Sequence, residues 1–163
     1  MNQEQLDHLL PHFQTLADEI GDDGVAQCLN VSIDHSKELE SLFRNAYPEV
    51  QLSSEIAIGN YGIGRTGEEA SLCFPVTAAE ALARNPARSI LAGSTDGHVR
   101  NVLNGTIVDL TILRSIKALG GPVEPLVAWS HEKSTDRYGF NLVWKDYQTY
   151  PSWELRRLMD QHR

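Results

Sequence analysis

Apolar residues follow a helical period in the first third of this chain and then switch to strand-like patterning near residue 55. Leu6, Leu9, Leu10, Phe13, Leu16, Ala17 and Ile20 recur three and four residues apart, which predicts an amphipathic helix over 3–21 that "GDDG" stops. Leu39, Leu42, Phe43 and Ala46 mark a second helical face that Pro48 closes. "SEIAIGNYGIGRTGEEASLCFPV" is different. Its β-branched and aromatic residues, punctuated by glycine, predict a hairpin over about 55–76.

Further on, Thr77 and Glu80 have capping-box spacing, so a helix is expected from Ala78, and Pro86 ends it and lets another run to Ala92. Ser94 or Thr95 then caps a helix over about 95–103 whose inner face is Val99, Val102 and Leu103, stopped by Asn104-Gly105. A helix capped by Asp109 or Thr111 follows and ends at Gly120-Gly121. "VEPLVAW" and "YGFNLVW" read as a strand pair, and Pro151-Ser152 opens a closing helix. The expected class is α+β: a helical N-terminal part, a central β-hairpin, a helix-turn-helix-like segment, a C-terminal β-hairpin and a closing helix. Residues 1–76 form one functional region and 77–163 the other, within one compact body.

Charge is unevenly spread. Residues 1–83 carry net −11, residues 84–117 net +3, and the remainder none, giving −8 for the 163-residue chain. A basic island can therefore meet phosphate while the acidic half stays beyond the roughly 8–10 Å screening length. No apolar run reaches the roughly 18 residues of a membrane span, and the first residues lack an export signal, so a cytoplasmic location is expected. Cys28 and Cys73 have no CxxC spacing and are expected to be reduced, buried thiols.

Gly93, Thr95, Val99, Val102, Leu103, Asn104 and Gly105 fit the spacing G-x-S/T-x-x-x-V-x-x-[IV]-L-N-G, and "LTILRSIKALGGPVEPLVAW" follows. Together these stretches resemble the Xre-type (Cro/C1-type) helix-turn-helix family, in particular its toxin-antitoxin-associated subgroup, over residues 77–129. The resemblance implies a dimeric, antitoxin-like regulator that reads double-stranded DNA with Arg88, Thr95, His98, Arg100 and Asn101, while Arg84, Arg114 and Lys117 meet phosphates. The acidic half would bind a protein partner or form the homodimer. An ordinary helical domain fits the same leucine spacing. A different class also fits the charge: a small acidic inhibitor or immunity-type protein that neutralises a basic toxin or nucleic-acid enzyme through residues 1–83.

Other chemistry has less support in the sequence. "GNYGIGRTG" lacks the GK[ST] ending of a phosphate loop, and a twisted hairpin accounts for it. His8 and His12 are spaced i, i+4 without a third ligand, so no metal or cofactor is assigned. "SHEKSTD" is a polar hairpin loop, and no G-x-S-x-G or H-E-x-x-H motif is present. The expectation is a non-enzyme with no catalytic residue. Seven of the twelve aromatics fall between 129 and 153, a concentration that favours core and an oligomer interface.

Overall fold

The computed structural model describes residues 1–21, 27–65, 71–72, 76–92, 97–112, 127–130 and 140–162. Eleven elements lie within them. These are α1 (Gln3–Ile20), α2 (Cys28–Ala46), β1 (Ser54–Arg65), β2 (Ser71–Leu72), α3 (Val76–Arg84) and α4 (Pro86–Ala92). They continue with β3 (His98–Leu103), β4 (Thr106–Val108), β5 (Ala128–Ser130), β6 (Phe140–Pro151) and α5 (Ser152–His162). The class is α+β, as the patterning predicts.

The helices form where the period says they should. Asn2 caps α1 through a complete capping box with Gln5, and Leu6, Leu9, Phe13, Leu16 and Ala17 are its buried stripe. The short apolar stretch "CLNVS" is the first part of α2 and continues without a break into the face that carries Leu39 and Phe43. α3 begins at Val76, so Thr77 lies inside its first turn and is not the cap.

β1 is the spine of an antiparallel sheet. It pairs with β3 from Ser54↔Leu103 to Gly59↔His98, with β6 from Glu55↔Pro151 to Arg65↔Phe140, and with β2 at Gly62↔Leu72. The strand order is β2-β1-β3-β4-β5, with β6 on the other side of β1. Here the structure corrects the sequence reading twice. Residues 98–103 are a strand with all six side chains buried, where a DNA-reading helix over 95–103 was expected. The expected strand pair of the C-terminal region is split, because β5 joins β4 and β6 joins β1.

The first correction has a local cause. Asn104 (φ 46°) and Gly105 (φ 75°) both adopt the left-handed region, which is the requirement of a two-residue hairpin turn and not only of a helix stop. Val102↔Ile107 and Leu103↔Thr106 close that hairpin. Asp109 does accept from the Thr111 backbone N–H at 3.1 Å, but the helix expected after it lies beyond residue 112, outside the described residues.

The sheet has two different faces. On one, Ile56, Ile58 and Val99 pack against Leu29 and Ile33 of α2, Leu82 and Ala83 of α3, and Leu155 and Met159 of α5. α1 joins the same layer, where Leu9 and Phe13 meet Leu39, Phe43, Leu103 and Val108. Each such fully buried side chain contributes roughly 1.5–3 kcal/mol. The other face carries Ala57, Gly59 and Tyr61 of β1, His98 and Arg100 of β3, Ile107 of β4, Trp129 of β5, and Trp144 and Asp146 of β6, by strand alternation and register.

That second face is concave. β5 and β6 are four strand spacings apart, about 19 Å in a flat sheet. Yet the rings of Trp129 and Trp144 stack with centroids 5.5 Å apart. Only a sheet curled strongly about β1 and β3 brings them together, and the polar residues of this face therefore sit inside the curl.

Candidate functional site

The strand that replaces the expected recognition helix begins with His98. Its Nε2 lies 2.6 Å from Oδ2 of Asp109, which stands at the end of β4 across the tight Asn104-Gly105 hairpin. Both are buried, His98 at 5% and Asp109 at 1% exposure. Asp109 uses its other oxygen to accept from the N–H and hydroxyl of Thr111, which fixes the carboxylate orientation.

A third chemical group meets the imidazole. Cys28, buried among the helix-side residues, adds to the positive charge that the imidazole holds. Cys28 is the first residue of the 19-residue α2, and its Sγ lies 3.7 Å from the Gly97 carbonyl oxygen. Gly97 is itself closely packed against α3 and β1: a Cβ there would stand 3.0 Å from Leu82 Cδ2, 3.2 Å from the Gly59 carbonyl oxygen and 3.3 Å from Ala79 Cα. Ser32, one turn further along α2, donates to the Val99 carbonyl, and Asn101 Nδ2 donates back to the Ser32 carbonyl. These two bonds fix α2 along β3, and with it the thiol beside the imidazole.

The electrostatics are those of an ion pair. Burial alone would lower the His98 pKa, but Asp109, and after it Cys28, overcome this and raise it to about 10. Burial likewise opposes ionisation of Asp109, and the His98 imidazolium, the Thr111 N–H and Arg100 bring its pKa below the ordinary value. At neutral pH His98 is therefore protonated and Asp109 ionised.

Aromatic rings complete the wall. Trp144 stacks on His98 at 5.5 Å and 26°, and Tyr61 meets His98 edge-on at 4.5 Å. Arg100, two residues along β3 from His98 and on the same face, lies 4.1 Å over the Trp144 ring and pairs through Nη2 with Asp146. Burial lowers the Arg100 pKa, while Asp146 and Asp109 hold it charged.

The residues expected to contact DNA are thus distributed differently. His98, Arg100 and Asn101 are buried in β3 at 5%, 0% and 1% exposure, so none faces a duplex; they line the curl or fix α2. Arg88 is exposed on α4, as is Arg84 on α3. Thr95, Arg114 and Lys117 lie outside the described residues, as does Cys73. Cys28 is buried, as expected, but beside a histidine. His8 bonds the Tyr47 hydroxyl at 2.8 Å, and His12 is exposed. Among the described residues, no group of three or more His, Cys, Asp or Glu is placed to hold a metal, and no helix is long and apolar enough to cross a membrane.

Sequence reasoning missed Cys28 and Asp109 as partners of His98. The available signals were a cysteine opening an apolar helix, and a His and an Asp flanking an Asn-Gly hairpin. Compared with protein-family models, curated proteins and solved structures, the chain matches none.

Proposed function

We propose that the chain is a thiol-dependent enzyme that acts on an acyl carbon, as a hydrolase or acyltransferase, with Cys28 as nucleophile, His98 as acid and base, and Asp109 as the residue that orients His98. The observation that carries this reading is the buried His98–Asp109 pair, with Cys28 at the start of α2 adding to the charge on His98: a base held by a buried carboxylate, with a thiol in its field. A helix N-terminus and an imidazolium both favour thiolate over thiol. Cys28 has both beside it.

The chemistry follows from the protonation states. The Cys28 sulfur attacks the acyl carbon of an amide, ester or thioester, and negative charge moves to the carbonyl oxygen. First-turn N–H groups of α2, which the Gln27 side chain does not cap, are the donors aimed at such charge. His98 gives its proton to the departing amine, alcohol or thiol, and the carbon–heteroatom bond breaks to leave a thioester on Cys28. Neutral His98 then takes a proton from water or a second nucleophile, which attacks the thioester and restores the thiolate and the imidazolium.

Alkylation tests this directly. Iodoacetamide at pH 6.5 with peptide mass mapping should label Cys28 far faster in the wild-type chain than in His98→Gln, and turnover of p-nitrophenyl acetate should vanish in Cys28→Ala. Equal labelling in both proteins, with ester turnover that survives Cys28→Ala, would sink the reading.

A second reading rests on a different surface. α1 carries Glu4, Asp7, Asp18 and Glu19, all exposed, and neither Lys nor Arg. Glu4, Asp7 and Asp18 share one stripe by their helical spacing, and none of the four pairs with a cation among the described residues. This supports docking of a basic partner, as an inhibitor or immunity-type protein would use. Retention on immobilised poly-lysine should fall more in Glu4→Gln/Asp7→Asn/Asp18→Asn than in Glu49→Gln/Glu80→Gln/Asp160→Asn, with flow-through on DNA-cellulose. Equal losses would reduce the effect to net charge.

A further inference from the structure

Arg100 is the largest fully buried side chain of the molecule among those described. A guanidinium has five N–H donors, and here Asp146 takes only Nη2. Nε and Nη1 are buried without a hydrogen-bond partner among the described residues. The same is true of Trp144 Nε1, on the ring that Arg100 covers. Leaving such donors dry is costly, and more so for a charged group.

All three orphan atoms on this stretch of the concave face are donors. A group that matches them offers acceptors only, which a hydroxyl, an amide or an amine does not. An oxyanion does. The local charge permits it: Asp109 is engaged by His98, and Asp146 is 30% exposed, so solvent screens its carboxylate while Arg100 has no exposure at all. Arg100 and His98 are two residues apart on one strand face, about 7 Å. Trp144 touches both.

We infer that Arg100, with the indole N–H of Trp144, is a specificity determinant that binds an oxyanion, a carboxylate or phosphate, on the concave face of the sheet. Arg is the side chain suited to such planar anions. This inference rests on the thiol-enzyme reading for its substrate, but not for its binding test.

Acetate and inorganic phosphate are titrated separately against the wild-type chain, with chloride holding ionic strength constant. Tryptophan emission and melting temperature report binding. At least one probe should saturate at millimolar concentration. Its affinity should fall about tenfold or more in Arg100→Gln and weaken measurably in Trp144→Phe, which keeps the ring and removes the donor. Asp146→Asn should bind severalfold tighter, because a like charge is gone. Saturation by acetate alone assigns carboxylate substrates, by phosphate alone phosphorylated ones, and by both a general oxyanion pocket. If Arg100→Gln does not fold, Trp144→Phe and Asp146→Asn decide. Absence of saturation by either probe overturns the inference, as does affinity unchanged in the folded variants. Oxyanion binding in a chain whose Cys28→Ala form keeps full ester turnover would leave this pocket standing and remove the thiol mechanism, whereas Cys28-dependent turnover without oxyanion binding would remove this pocket alone.

Discussion

The Nε2 atom of His98 lies 2.6 Å from Oδ2 of Asp109 inside the curled sheet, with both side chains shielded from solvent. A buried imidazolium whose counter-ion is deleted is left uncompensated, which costs about 3–5 kcal/mol. Asp109→Ala should lower stability by that amount in urea titration. Asp109→Asn keeps the shape and loses the charge. It should be milder in stability yet reduce thiol-dependent turnover on the order of 100-fold or more, since His98 loses the partner that fixes its orientation. Turnover unchanged in a folded Asp109→Asn would end the orienting role.

The same pair sets a pH window. The folded His98 pKa, about 10, lies above the ordinary 6.5, so its stabilising contribution is complete below 6.5 and is lost as pH rises through 10. Asp109 is shifted below its ordinary 3.8, so its contribution is complete above 3.8 and is lost as pH falls further. Cys28 and Arg100 share the site, Cys28 adding to the His98 shift and Arg100 to that of Asp109. The melting-temperature advantage of wild type over His98→Gln should be greatest between about pH 4 and 6.5 and shrink steadily toward pH 10. An advantage that is flat or grows with pH in that upper range would contradict the ion pair.

Gly59 governs how β1 and β6 approach. A Cβ there would lie 2.1 Å from the Lys145 carbonyl oxygen and 2.9 Å from Asp146 Cα, next to the register shift between Ile58 and Gly59. Backbone offers no easy escape, so Gly59→Ala should cost about 3 kcal/mol, the upper range for overpacking. It should also displace Asp146 and Trp144 from Arg100. Gly21→Ala is the control: it meets nothing within 4 Å, but its φ of 51° costs about 1 kcal/mol. Equal urea midpoints for the two variants would refute the close approach.

Why the outer elements were legible and the site was not follows from particular residues. α1 and α5 announce themselves because one face is apolar and the other wet, and β1 because its glycines and β-branched residues fit a strand. Val99, Val102 and Leu103 mislead, since spacings of three and four suit a helix face as well as a strand buried on both sides. Polarity alone puts Arg100 and Asn101 on the outside, whereas in the fold both are buried, Arg100 paired through Nη2 with Asp146 and Asn101 donating to the Ser32 carbonyl. Asn-Gly between β-branched runs is the stronger hairpin signal and would have made residues 98–108 a hairpin. The site has no local motif. Cys28 and His98 meet only once α2 is laid along β3, a relation that no spacing along the chain encodes.

The hairpin that joins His98 to Asp109 depends on Asn104 more than on any other residue of the turn. Asn104 tolerates its φ of 46° better than other non-glycine residues do, and its side chain also ties the turn to the segment before β1. Oδ1 accepts from the Ser53 N–H at 2.6 Å, and Nδ2 donates to the Gln51 carbonyl at 3.1 Å. Asn104→Gly keeps the conformation and loses both bonds, whereas Asn104→Ala loses the bonds and adds backbone strain. Urea titration should therefore place Asn104→Gly about 1–2 kcal/mol below wild type and Asn104→Ala about 1 kcal/mol lower again. Cys28 labelling should slow in the same order, because a loosened turn lets Asp109 drift from His98. If the two variants were equally stable, the left-handed backbone at this position would carry no weight, and the turn would be held by its side-chain bonds alone.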